Sequence, residues 1–236
     1  SSGRRRVHPC RVPLPLMTME HIYLDNSATT PLCEQAKAAV ISALDRFGNP
    51  SSLHLLGAQS LIALDEARLA VARSMSVEPS EIYFTSGGSE GNNMAILGTA
   101  NAHKREGRRV ITTAIEHHSV LKAMERLERD GFDVVYIKPN RQGVVTAEQV
   151  SEALTDDTVL VSIMHVNNEV GSVMPIADIS KLLNKRGSKA ILHSDCVQSY
   201  GKLPLSVKAL GADIVTVSGH KIHAPKGVGA VYIRKG

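Results

Sequence analysis

Seven short apolar runs, at residues 81–85, 109–113, 133–138, 158–164, 190–193, 213–217 and 228–233, punctuate most of the chain and constrain its fold more than any other feature. Helical segments at 91–104, 118–130, 147–154 and 175–186 separate most of them, with apolar residues at i, i+3 and i+4 spacing. Alternation of this kind predicts an α/β fold built on a mostly parallel, doubly wound seven-stranded sheet. Thr146 and Gln149 form a capping box that starts the third helix, and Gly187 stops the fourth. The last connection is too short to return a parallel strand, so 228–233 is expected to run antiparallel to its neighbour.

Ahead of this core, Ile22–Leu24 reads as a short strand and Thr30 as the cap of a helix beginning at Pro31. Ala36, Ala39, Val40, Ala43, Leu44 and Phe47 recur at helical spacing, which predicts one buried face up to the stop at Gly48-Asn-Pro50. A further helix spans 57–75, with Leu61, Leu64, Leu69 and Ala72 on its apolar side. The organisation expected is a leader at 1–19, an arm and helix at 20–50, and a large domain at 51–236.

Net charge narrows the partners. The formal charge of +4 comes from the first 19 residues, where Arg4, Arg5, Arg6 and Arg11 face no acid; the remainder is neutral. Neither a nucleic-acid partner nor a membrane is expected, since the body lacks a basic patch and no apolar run reaches spanning length. The leader, broken by Pro9, Pro13 and Pro15, reads as an extension preceding Met17 or Met19, with a mitochondrial presequence as the alternative on its arginines. Cys10, Cys33 and Cys196 have no paired spacing, which suits a reducing, cytoplasmic setting.

Three places carry chemistry. Lys221 follows the run Asp213-Ile-Val-Thr-Val217 in Ser218-Gly-His-Lys221, at a strand's carboxyl end where open α/β sheets bind ligands. Burial there lowers a lysine pKa and makes the amine a nucleophile toward a carbonyl. Asp195 ends the segment Ala190-Ile-Leu-His193-Ser-Asp195, and a carboxylate so placed wants a cationic partner; a helix cap is the plainer alternative. Finally, Thr85-Ser-Gly-Gly-Ser-Glu90 joins a strand to a helix through glycines, a form that lets backbone N–H groups approach an anion.

These strings, with Tyr23-Leu-Asp-Asn-Ser-Ala-Thr-Thr-Pro31, Phe47-Gly-Asn-Pro-Ser-Ser52, Glu116-His117, His165-Val-Asn-Asn-Glu169 and Asp195 to Gln198, resemble the NifS/IscS-type cysteine desulfurases. Those are fold-type I, class V aminotransferase-like enzymes that use pyridoxal 5'-phosphate. The resemblance runs from Ile22 to Gly236 and makes 51–236 a cofactor-binding large domain, incomplete at its end. It implies that Lys221 forms a Schiff base with the cofactor and moves the proton at substrate Cα, and that Asp195 pairs with the ring nitrogen. His117 stacks on the ring, Asn168 and Gln198 bond its phenolic oxygen, and Gly88, Ser89, Ser218 and His220 hold the phosphate. The substrate implied is L-cysteine, the product L-alanine, and the sulfur recipient an acceptor protein of the scaffold type in iron-sulfur or thio-cofactor assembly. A homodimer is expected by analogy.

The same resemblance predicts a truncated enzyme: a small C-terminal domain bearing a persulfide cysteine and a substrate-gripping arginine has no counterpart here, and turnover by this chain is expected to be poor or absent. A selenocysteine lyase or another class V aminotransferase is the nearest alternative. Others are a non-catalytic scaffold, a nicotinamide site using Gly87, Gly88, Gly91 and Glu116, and a zinc site from His193, Cys196, His220 and His223, none of whose spacings is specific. Cys196 and His223 receive no catalytic role.

Overall fold

A computed structural model describes residues 22–235. The leader at 1–19, with Cys10, and the terminal Gly236 lie outside the described residues. A seven-stranded sheet in the order β1-β7-β6-β5-β4-β2-β3 organises the rest. Its strands are β1 (Ile82–Thr85), β2 (Arg109–Thr113), β3 (Asp133–Ile137), β4 (Thr158–Ser162), β5 (Ile191–Asp195), β6 (Ile214–Ser218) and β7 (Gly229–Ile233). The block β6-β5-β4-β2-β3 is parallel throughout. β7 runs antiparallel to both β6 and β1, as its short connection requires.

The helices are α1 (Glu34–Leu44), α2 (Leu55–Met75), α3 (Gly88–His103), α4 (His118–Arg129), α5 (Ala147–Ala153), α6 (Ile176–Lys185) and α7 (Val207–Leu210). α4 shows why the pattern folds this way: Val120, Ala123, Met124 and Leu127 are buried at i, i+3, i+4 and i+7, while Lys122, Glu125 and Arg129 face water. Burying each large side chain contributes about 2 kcal/mol. The capping box at Thr146 and Gln149 forms, each side chain meeting the other residue's backbone N–H. Central β4 and β6 are buried along their whole length, as parallel strands covered on both faces must be. At one edge, β1 is only four residues long and Arg68 Nη1 donates to the Ile82 carbonyl at 2.6 Å, which blunts an edge that would otherwise recruit another strand.

The segment before α2 departs from expectation. Ile22–Leu24 is not a strand, because no neighbouring strand offers it a ladder. Thr30 is not a helix cap; α1 starts three residues later than Pro31, behind Cys33. The Thr30 hydroxyl instead donates to the His220 carbonyl at 3.0 Å and accepts from the His223 N–H at 2.7 Å, stitching the arm to the loop that carries Lys221. The predicted buried face of α1 is absent among the described residues: Leu44 is 75% exposed and Phe47 82%. Periodicity reports a face that is apolar, not what covers it.

Candidate active site

Every residue expected to hold pyridoxal phosphate lies near the carboxyl ends of the strands, around a cavity of about 280 Å³ lined by Gly88, Ser89, His117, Asn168, Asp195, Gln198, Ser218, His220 and Lys221. The chain reverses its winding between β2 and β4: β2 leads outward to β3, whereas β4 leads back to β5. Loops on either side of such a switch point diverge and leave a crevice. His117 stands in the loop after β2 and Asn168 in the loop after β4, and both line the cavity.

Asp195 closes β5, beside Thr216 of β6, and is 6% exposed. Its Oδ1 accepts from the Val197 N–H at 2.9 Å and its Oδ2 from Asn92 Nδ2 at 2.7 Å. Burial pushes its pKa up, against the pull of those two donors and of His117 and Lys221. Lys221 leaves β6 through a single 3-10 turn at Gly219–Lys221. Its Nζ donates to the carbonyls of Ser27 and of Ala28, the latter at 2.8 Å. Burial, then the nearby charge of Lys202, pulls its pKa down, with Asp195 and Asp25 opposing.

The glycine turn brings α3 onto the same cavity. A Cβ on Gly88 would stand 2.8 Å from Val197 Cγ2, so only glycine lets the helix start reach this close to the β5 loop. Gly88 and Ser89, at the helix start whose first N–H groups have no partner within the helix, thus line the cavity together with Ser218. His220, on the far rim, is held by Thr29 Oγ1 at 3.1 Å, and its pKa is lowered first by burial. Gln198 bridges the floor: its Nε2 donates to Ser27 O at 2.8 Å and its Oε1 accepts from Lys202 Nζ at 2.9 Å. Asn168 Nδ2 turns to Glu169 Oε1 at 2.9 Å.

Two alternatives fail on geometry. Glu116, the ribose acceptor of a nicotinamide site, is 5% exposed and accepts from Thr113 Oγ1 at 2.8 Å and the Met164 N–H at 3.0 Å. Burial pushes its pKa up to about 8, a poor state for binding ribose hydroxyls. The zinc set disperses likewise: His193 is enclosed between Ser162 Oγ at 2.8 Å and Thr216 Oγ1 at 3.1 Å, while His223 meets the Pro31 carbonyl at 3.0 Å. Among the described residues no group of three His, Cys, Asp or Glu side chains could hold a metal ion. Cys196 is fully buried and burial pushes its thiol up to about 12, so it is inert as a nucleophile.

The sequence profile of the family described as Aminotransferase class-V matches residues 22–236. The chain belongs to the class V aminotransferases. The protein named IscS 1 in Bacillus subtilis (strain 168) is 50% identical over 218 residues, covering 92% of this chain and 57% of that protein. Cysteine desulfurase IscS of Dictyoglomus turgidum is 44% identical over 216 residues, 91% of this chain and 54% of that protein. A solved structure described as SspA in complex with cysteine superposes with a TM-score of 0.86 at 40% identity, over 90% of this chain and 61% of that one. This class V aminotransferase chain thus spans a little over half the length of the curated relatives it matches.

Five contributors have no role in the sequence reading. Asn92 and Ser119 line the cavity, and a polar residue one turn into α3 is the only local signal for the first. Lys202 reaches the site through Gln198. The Ser27 and Ala28 carbonyls that hold Lys221 carry no side-chain signature at all.

Proposed function

We propose that this chain is the cofactor-binding part of a pyridoxal phosphate-dependent cysteine desulfurase. The observation that carries the reading is the convergence of a half-buried amine, Lys221, and a buried carboxylate, Asp195, on one cavity beside a glycine-opened helix start. Asp195 accepts only neutral donors, so a cationic ring nitrogen supplies the partner that burial makes it want. The cradle at Gly88, which a Cβ would fill, suits a phosphate. These residues fit the group.

Bound there, pyridoxal phosphate supplies an electron sink for negative charge at the substrate carbon bearing the amine. Lys221, whose Nζ lines the cavity, would hold the cofactor through its carbonyl carbon and would be the base that moves the proton at that substrate carbon. Asp195 keeps the ring nitrogen protonated. His117 would cover the ring, Gln198 and Asn168 would donate to its oxygen, and the α3 N–H groups, Ser89, Ser218 and His220 would hold the phosphate. The substrate would be L-cysteine, a reading supported by the relatives' names and by the cysteine complex, and the sulfur would pass to an acceptor protein. A homodimer and a cytoplasmic setting complete the proposal.

Titrating the chain with pyridoxal phosphate tests it. A visible absorbance band should grow with the wild type and be missing in Lys221→Ala; a band that survives in Lys221→Ala, or none in the wild type, overturns the reading.

A further inference from the structure

One buried side chain in the cavity touches both Asp195 and the neighbour of His117. Asn92 sits one turn into α3, 1% exposed, and spends both hydrogens of its side-chain amide there: one on Asp195 Oδ2 at 2.7 Å, the other on Ser119 Oγ at 2.9 Å. Ser119 Oγ in turn lies 2.8 Å from His117 Nδ1, which also accepts the Ser119 backbone N–H at 3.2 Å. Since that N–H can only donate, Nδ1 is the acceptor nitrogen and the neutral ring carries its hydrogen on Nε2. The hydroxyl hydrogen then points to Nδ1, leaving an oxygen lone pair for Asn92. Donors and acceptors are consistent along the whole track.

A cost identifies the orientation as imposed. Among the described residues Asn92 Oδ1 is buried with no hydrogen-bond partner, an arrangement native structures avoid. Turning the amide over would aim Oδ1 at the Asp195 carboxylate and strand both N–H groups, so the charged aspartate dictates which way the amide points. We infer that Asn92 is a positioning residue which, through Ser119, couples the Asp195 carboxylate to the tautomer and orientation of the His117 ring. The inference rests on the roles proposed above for Asp195 and His117. It adds that the group under the ring nitrogen and the group over the ring face are set by one amide.

Two measurements on the chain decide it. In the chain without cofactor, nitrogen-15 NMR should show His117 as the Nε2–H tautomer. Asn92→Leu should move its Nδ1 resonance although no direct hydrogen bond joins the two residues, and that movement should vanish in a Ser119→Ala background. In the cofactor titration, Asn92→Leu should weaken binding on the order of tenfold, the size of one hydrogen bond to a charged group. In an Asp195→Asn background the same change should cost less than about twofold. A resonance that stays put, or costs that add across the two backgrounds, overturns the coupling. If Asn92→Leu does not fold, Asn92→Ser, too short to reach both oxygens, replaces it. Should the wild type take up no cofactor, the functional reading fails and the NMR arm alone decides the coupling.

Discussion

Lys221 Nζ donates to the Ala28 carbonyl at 2.8 Å, joining residues 193 positions apart in the chain. With the Ser27 carbonyl on the same nitrogen, the N-terminal arm is tied to the proposed nucleophile rather than merely packed near it. Two carbonyls favour the ammonium form, whereas burial and Lys202 favour the neutral amine; the net direction is toward the amine. The balance makes Lys221 sensitive to neighbours that never touch it.

Lys202→Met should therefore raise the pKa of Lys221, because it removes a like charge while leaving the burial in place. At neutral pH less of the amine is then free to react. The rate at which the cofactor band appears, followed against pH, should reach its half-maximum at higher pH than in the wild type. An unchanged or lower midpoint would refute the electrostatic part of this account. The same substitution also frees the Gln198 Oε1 that Lys202 holds.

Glu116 makes stability fall as pH rises. Burial pushes its carboxyl up to about 8 in the folded chain from an ordinary 4.5, so between those pH values the folded state holds a proton that the unfolded chain has lost. Stability contributed by this group is full below about pH 4.5, declines through the window, and levels above about pH 8, for a total of up to about 5 kcal/mol. Glu116→Gln, which keeps an acceptor for Thr113 and Met164, should remove that decline. Urea denaturation of both proteins at about pH 5 and pH 8 reads the difference. His193, pushed down to about 3 by burial, acts in the opposite direction below about pH 6.5 and cancels between variant and wild type.

Two glycines of α3 should respond in opposite ways. Gly88→Ala brings a Cβ to 2.8 Å from Val197 Cγ2, whose residue's N–H holds Asp195, so cofactor affinity should fall roughly tenfold with a stability loss of about 1 kcal/mol. Gly98→Ala meets nothing within 4 Å and should stabilise the same helix by about 1 kcal/mol without touching affinity. Thermal melts and the cofactor titration separate the two; equal effects on affinity would contradict the close approach at Gly88.

The sheet was legible because its signal is local. Strand-length apolar runs, the spacing of Val120, Ala123, Met124 and Leu127, and the capping pair Thr146 and Gln149 are all properties of neighbouring residues, and each formed as its chemistry required. Even the antiparallel β7 followed from connection length. The residue types at Lys221, Asp195 and the glycine turn likewise advertised carbonyl and anion chemistry before any coordinates. Tertiary structure alone decided what met what. Thr30 became a tie to His220 instead of a helix cap, the apolar stripe of α1 found no cover among the described residues, and Asn92 became the link between Asp195 and His117. Those outcomes depend on long-range partners and on backbone groups common to every residue, so no window of sequence contains them.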